Sequence, residues 1–100
     1  MKLHIVNKSP FRDDALAQCL SAAKPGSVVL LLEDAVYAVV PEGETWELLE
    51  EAQNRLRVVA LEDDVQARGL IQRLGDGVEL VSYRGFARLA ATCDCVVSWH

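Results

Sequence analysis

Five consecutive apolar residues, 28–32, constrain the fold of this chain more than any other feature. All five are branched, they follow a proline-glycine pair, and they end at Glu33 and Asp34. A run this short, bounded by turn residues, predicts a strand that is buried on both faces. Such a strand needs helices above and below its sheet, so the run predicts an α/β fold. Chemistry in such sheets gathers at the carboxyl ends of the strands. Asp34 lies at that end and is expected to be the N-cap of the segment 35–40.

The rest of the chain alternates strands with helices. Further strands are predicted at 3–6, Arg57–Leu61, 78–81 and Cys95–Trp99. Helices are predicted from Ser9-Pro10, from about Thr45, from about Val65 and over Tyr83–Thr92, the last with Ser82 as its N-cap. This alternation predicts a single three-layer α/β/α domain over residues 1–100, with a mainly parallel sheet of about five strands.

Composition limits the classes of function. The net charge of −5 argues against a protein that binds nucleic acid directly. No apolar run approaches the roughly 20 residues that a membrane span requires, so no membrane partner is expected. The first residues lack the apolar segment of a signal peptide, and a cytoplasmic location is therefore expected. No glycine-rich phosphate loop follows a strand, and we expect no cofactor.

Cys19 is the first candidate for chemistry. It lies in an apolar stripe at helical spacing, formed with Phe11, Ala15, Leu16, Leu20 and Ala23. Free cysteines are usually buried, which favours a packing residue in the core. The other interpretation is a thiol that carries sulfur, which requires exposure and thiolate character. No basic residue lies within one helical turn of Cys19, so activation would have to come from the fold or a partner.

The other reactive side chains favour structural interpretations. Cys93 and Cys95 are separated by a single residue. This is not the spacing of cysteine ligands in a zinc site, so we expect no metal there. The acidic residues after two strands, at 33–34 and 62–64, are explained more simply as helix caps than as ligands of a hard cation. His4, within a strand, is expected to be packed rather than to act as a base.

Five stretches of the chain resemble one family of small proteins. They are LHIVNKSPF at 3–11, VLLLEDAVYA at 29–38, ALEDDVQARGL at 60–70, VSYRGF at 81–86 and VSW at 97–99. In this order and spacing they are similar to the DsrH/TusB family, the smallest subunit of the DsrEFH and TusBCD sulfurtransferase complexes. The resemblance covers essentially the whole chain and implies a DsrE-like fold.

The resemblance also implies a function, which is the relay of persulfide sulfur between the cysteines of successive proteins. It implies DsrE/TusD-like and DsrF/TusC-like partner subunits in a heterohexamer with two copies of each, and a DsrC/TusE-type sulfur acceptor. The pathway would be oxidative sulfur metabolism or the synthesis of 2-thiouridine in tRNA. The main sulfur-carrying cysteine of the family belongs to the DsrE/TusD-like partner.

Cys19 stands where DsrH-type members carry a cysteine in their first helix. The resemblance therefore implies Cys19 as a candidate catalytic sulfur carrier, for which we expect partial exposure toward a neighbouring subunit. The alternative is a purely structural subunit that completes the hetero-oligomer, with Cys19 inert. A third interpretation is an unrelated α/β domain that binds a small molecule, and the sequence leaves all three open.

Overall fold

A single five-stranded sheet organises the fold. The structure, a computed structural model, describes residues 1–99. Its five strands are Lys2–Val6 (β1), Val28–Leu31 (β2), Arg57–Leu61 (β3), Glu79–Val81 (β4) and Cys95–Trp99 (β5). All neighbouring pairs are parallel and the order is β4-β3-β2-β1-β5. The predicted parallel five-stranded sheet is confirmed.

β2 lies at the centre of the sheet and has no solvent exposure along its length. Because successive side chains of a strand point to opposite faces, Val29 and Leu31 enter one core while Val28 and Leu30 enter another. The strand therefore needs cover on both sides, as the apolar run predicts.

Helices provide that cover unequally. The first face carries α1 (Ala15–Ala22), α2 (Gly43–Ala52), α3 (Glu62–Ala67) and a 3₁₀ helix (Glu33–Val39). The second face carries α4 (Tyr83–Thr92), whose Leu89 packs with Leu3, Val28, Leu30 and Val59. The three-layer α/β/α architecture is confirmed. Within residues 1–99, no helix is both long and apolar enough to cross a membrane.

The predicted start of the first helix is wrong. The backbone oxygen of Ser9 accepts the N–H groups of Arg12 and Asp13, but this turn does not continue into the helix. Asp13 interrupts it by accepting the N–H of Ala15 with its own carboxylate, at 2.7 Å, and α1 begins there. Short polar side chains compete with helical hydrogen bonding in this way. Phe11, predicted to face the core, lies outside the helix and is 70% exposed.

Of the remaining predicted helix starts, one is correct and the others are wrong or a few residues late. Ser82 caps α4 as predicted, because its hydroxyl accepts the N–H of Gly85 at 3.1 Å. Asp34 does not cap the segment after β2, since Leu32 holds the extended N-cap position and Asp34 lies inside the first turn. Helices α2 and α3 begin at Gly43 and Glu62, a few residues before the predicted Thr45 and Val65.

Candidate functional site

Cys19 lies in the middle of the buried face of α1. Its side chain has no exposed surface and belongs to the core between α1 and the sheet, together with Leu16, Leu20 and Ala23. Burial raises the pKa of the Cys19 thiol to about 12, because a thiolate loses its hydration there. At neutral pH this side chain is therefore a thiol and a poor nucleophile.

The expected partial exposure of Cys19 is wrong for this chain. Of its neighbours three and four positions away along the chain, Ala15, Leu16 and Ala23 are buried and Ala22 is exposed. Cys19 therefore sits at the centre of the apolar stripe, and the small residues of the stripe open no path to its sulfur. Whether Cys19 carries sulfur in an assembly stays a prediction.

The other two cysteines lie at the junction between α4 and β5. Cys93 is the C-cap of α4 and packs, half-buried, against the second core. Cys95 is the first residue of β5, is exposed, and pairs in register with Lys2. Among residues 1–99, no three His, Cys, Asp or Glu side chains gather closely enough to hold a metal ion.

A cluster of polar and aromatic side chains joins the carboxyl ends of β1, β2 and β3. Two nitrogens of Arg68 donate to Asp34 Oδ1, at 2.9 and 3.2 Å. The guanidinium carbon of Arg68 lies 5.9 Å from the ring centroid of Tyr37, whose ring is 6.4 Å from that of Phe11. Asp64 Oδ2 accepts the N–H of Glu33 at 2.7 Å. We call Phe11, Asp34, Tyr37, Asp64 and Arg68 the carboxyl-edge cluster.

The cluster also explains an unusual backbone conformation. Glu33 has a φ of 50°, which is rare for residues with a side chain. Its N–H is held by Asp64 of α3, so the strained turn after β2 is fixed by the helix that follows β3. This turn also places Asp34 beside Arg68 instead of at the N-cap position of the 3₁₀ helix.

Two clefts open beside Phe11 and Tyr37. One is lined by Ser9, Arg12 and Asp34 together with these rings, and the other by Val40, Glu42, Arg68, Leu70 and Arg73. Both arginines of the second cleft already pair with carboxylates, Arg68 with Asp34 and Arg73 with Glu42. The carboxyl-edge cluster contains no thiol or imidazole, and its carboxylates and guanidinium are already engaged in hydrogen bonds with each other or with the backbone.

Sequence reasoning found the place of this cluster and missed most of its members. The sequence points to Asp34 and Asp64, which follow β2 and β3, but it assigns Phe11 to the core and gives no reason to place Tyr37 and Arg68 beside them. The available signal was that each follows the end of a strand, where ligand chemistry gathers in α/β folds.

Replacing Asp34 by alanine should lower stability only slightly. The change removes an ion pair in which the Asp34 side chain is 59% exposed, and exposed pairs contribute about 0.2–1 kcal/mol. Urea unfolding should show this small loss, and Arg68→Ala should cost more because Arg68 also covers Tyr37. A loss near 2 kcal/mol for Asp34→Ala would contradict the assignment of Asp34 to a surface ion pair.

His4 is a packed residue of β1, as expected. Its Nδ1 accepts the indole N–H of Trp99 at 3.0 Å, and this bond ties the last strand to the first. Because Nδ1 accepts, the proton of neutral His4 lies on Nε2, which is buried without a partner among the described residues. Burial, with a smaller contribution from Lys2, lowers the pKa of His4 below its ordinary value of 6.5.

We therefore expect stability to fall as pH decreases below about 6.5. The unfolded state takes up the His4 proton at a higher pH than the folded state, so acid favours unfolding in that window. The measurement is urea unfolding between pH 5 and 8, an interval above the titration of ordinary carboxylates. His4→Asn is the control, since its amide oxygen can accept the Trp99 hydrogen bond without titrating. An equal pH dependence in both proteins would contradict the assignment to His4.

Fold and site together define a small three-layer α/β protein with a buried thiol on the inner face of its first helix. The model of the family described as "DsrH like protein" matches residues 8–96. Relatives described as "Protein TusB", from Yersinia pestis (strain Pestoides F) and Yersinia pseudotuberculosis serotype O:1b, are each 37% identical over 97 residues. These alignments cover 97% of this chain and 99% of each relative. The chain belongs to the DsrH family.

Solved structures show the same fold at lower sequence identity. The ychN protein from E. coli superposes with a TM-score of 0.80 at 24% identity, over 97% of each chain. MTH1491 from Methanobacterium thermoautotrophicum, a protein of unknown function, superposes with a TM-score of 0.77 at 14% identity, over 97% of this chain and 96% of its own. These similarities support the three-layer α/β/α fold.

Proposed function

We propose that this chain is a subunit of a cytoplasmic sulfurtransferase complex that relays persulfide sulfur. The observation that carries the proposal is its membership of the DsrH family along nearly the whole chain. Within that complex we assign the chain to assembly and docking. Cys19 then serves as a packing residue rather than as a sulfur carrier.

The chemistry of the relay supports this division of roles. In each step a thiolate attacks the outer sulfur of a persulfide, the sulfur–sulfur bond breaks, and the donor leaves as a thiolate. The attacking cysteine must therefore be accessible and partly ionised. Cys19 has no exposed surface and its pKa is raised to about 12, so in this conformation it meets neither condition.

The partners we propose are subunits of the DsrE/TusD and DsrF/TusC types, in a heterohexamer with two copies of each. The main sulfur-carrying cysteine then lies on the DsrE/TusD-like subunit, and a DsrC/TusE-type protein accepts the sulfur. The carboxyl-edge cluster offers this assembly a recognition surface in which Phe11 is 70% exposed. The pathway is sulfur oxidation or tRNA 2-thiouridine synthesis.

The test is co-purification followed by sulfur loading. The chain should be co-expressed with DsrE- and DsrF-like subunits from the same genome, and the purified complex treated with polysulfide. We expect a stable complex in which mass spectrometry finds persulfide on the DsrE-like subunit and none on Cys19. Failure of the three chains to associate would contradict the proposed assembly.

A second candidate function keeps Cys19 as a sulfur carrier. It is favoured by the position of Cys19 in the first helix, where DsrH-type members carry a cysteine. This function requires α1 to move on assembly and uncover the thiol. Alkylation of the intact complex separates the two, with exposed Cys95 as an internal reference. Modification of Cys19 at a rate near that of Cys95 would favour the carrier.

A further inference from the structure

A cleft between α1 and α2 opens on the outer surface of the first face. Its apolar side chains are Leu16, Leu20 and Leu48, and its edge carries the carboxylates of Asp13, Asp14 and Glu44. Leu48 is 51% exposed, which is high for a leucine that faces a neighbouring helix. We call these six residues the α1–α2 cleft.

Two carboxylates of the α1–α2 cleft accept hydrogen bonds from neutral donors, Asp13 from the Ala15 N–H and Asp14 from the Gln18 amide. None of its three carboxylates forms an ion pair with a side chain in the part of the chain that the structure describes. Helix α1 carries no charged residue at all. A ligand of this cleft must therefore bring both apolar surface and positive charge.

Helix α4, which lies on the opposite face of the sheet, carries both apolar surface and positive charge. It contains Arg84 and Arg88 and no acidic residue. The two arginines are exposed and four positions apart, so they lie along one side of the helix. Neither forms an ion pair within residues 1–99. Tyr83, next to Arg84, is 58% exposed.

We propose that α4 of a second copy of this chain docks in the α1–α2 cleft. Arg84 and Arg88 face the carboxylates of the cleft, and Tyr83 packs against the exposed Leu48. Most other orientations would be disfavoured, because each copy carries a net charge of −5 and like charges would meet. The inference uses this chain alone and does not depend on the proposed function.

The contact is head-to-tail, because the two surfaces lie on opposite faces of one sheet. Each copy then offers a free cleft at one end and a free α4 at the other. Such contacts produce a ring if the rotation closes and an open fibre if it does not. Association of the isolated chain, without the partner subunits of the proposed heterohexamer, should therefore go beyond a dimer as its concentration rises.

The experiment reverses the sign of the charge on the α1–α2 cleft and on α4, in two separate variants. One variant combines Asp14→Lys with Glu44→Lys, and the other combines Arg84→Glu with Arg88→Glu. In sedimentation velocity, the unmodified chain should associate with rising concentration and each variant should associate at least about tenfold more weakly. An equimolar mixture of the two variants should associate again, because every cleft then meets an α4 of opposite charge.

Three results would overturn the proposal. They are an unmodified chain that stays monomeric, variants that associate as well as the unmodified chain, and a mixture that fails to associate although both variants melt like the unmodified chain. Salt provides a test that needs no substitution. Raising ionic strength from 0.01 M to 1 M shortens the screening length from about 30 Å to about 3 Å. Association that does not weaken over this range would also overturn the proposal.

Discussion

Replacing Cys19 by serine is expected to destabilise the protein while leaving sulfur loading of the assembled complex unchanged. The side chain has no exposed surface and packs among aliphatic residues of α1 and the sheet. A serine hydroxyl at this position would have to find a hydrogen-bond partner in an apolar core, and an unsatisfied one costs about 1–3 kcal/mol. Thermal melting of the chain and polysulfide loading of the complex measure the two effects separately.

Two controls sharpen this experiment. Cys95→Ser changes the same atoms at an exposed site and should leave the melting temperature nearly unchanged. Cys19→Ala removes the sulfur without adding a polar group, so its cost should reflect the lost packing alone. If Cys19→Ser melted normally and removed a persulfide from this chain, the thiol would be an accessible carrier and the assembly role would be wrong.

The fold could be predicted where local signals and the global pattern agree. The strands β2 and β3 are short apolar runs, and their predicted limits match to within one residue. Helix α4 matches at both ends because Ser82 provides a capping hydroxyl and the junction with β5 ends it. The first helix was misplaced because Ser9-Pro10 is a strong start signal, yet Asp13 and Asp14 offer a second start four residues later.

The site could be predicted only in part, because its contacts join residues far apart in sequence. Asp34 and Arg68 are 34 positions apart, and no spacing rule pairs them. The carboxyl end of β2 was nevertheless singled out correctly, since parallel strands bring their ends to one edge of the sheet. The exposure of Cys19 could not be predicted, because helical periodicity identifies the apolar stripe but not how closely the sheet covers it.

Gly75 is expected to be the glycine least tolerant of substitution. Its N–H donates to the backbone oxygen of Val39 at 2.8 Å, which holds the loop before β4 against the 3₁₀ helix. A Cβ at this position would overlap three atoms of the Trp46 six-membered ring. Trp46 is itself buried in the first core, so its ring cannot simply swing away. Gly75→Ala should therefore cost about 3 kcal/mol, the upper end for overpacking of a core.

A double-mutant cycle tests whether the clash with Trp46 is the cause. Phenylalanine lacks the second ring of tryptophan and leaves room near Gly75, so Gly75→Ala should cost much less when Trp46→Phe is already present. The four proteins should be compared by urea unfolding, and we expect a coupling free energy of about 1–2 kcal/mol, within the range for residues in contact. Equal costs of Gly75→Ala in both backgrounds would mean that the loop, and not the Trp46 ring, absorbs the added methyl group.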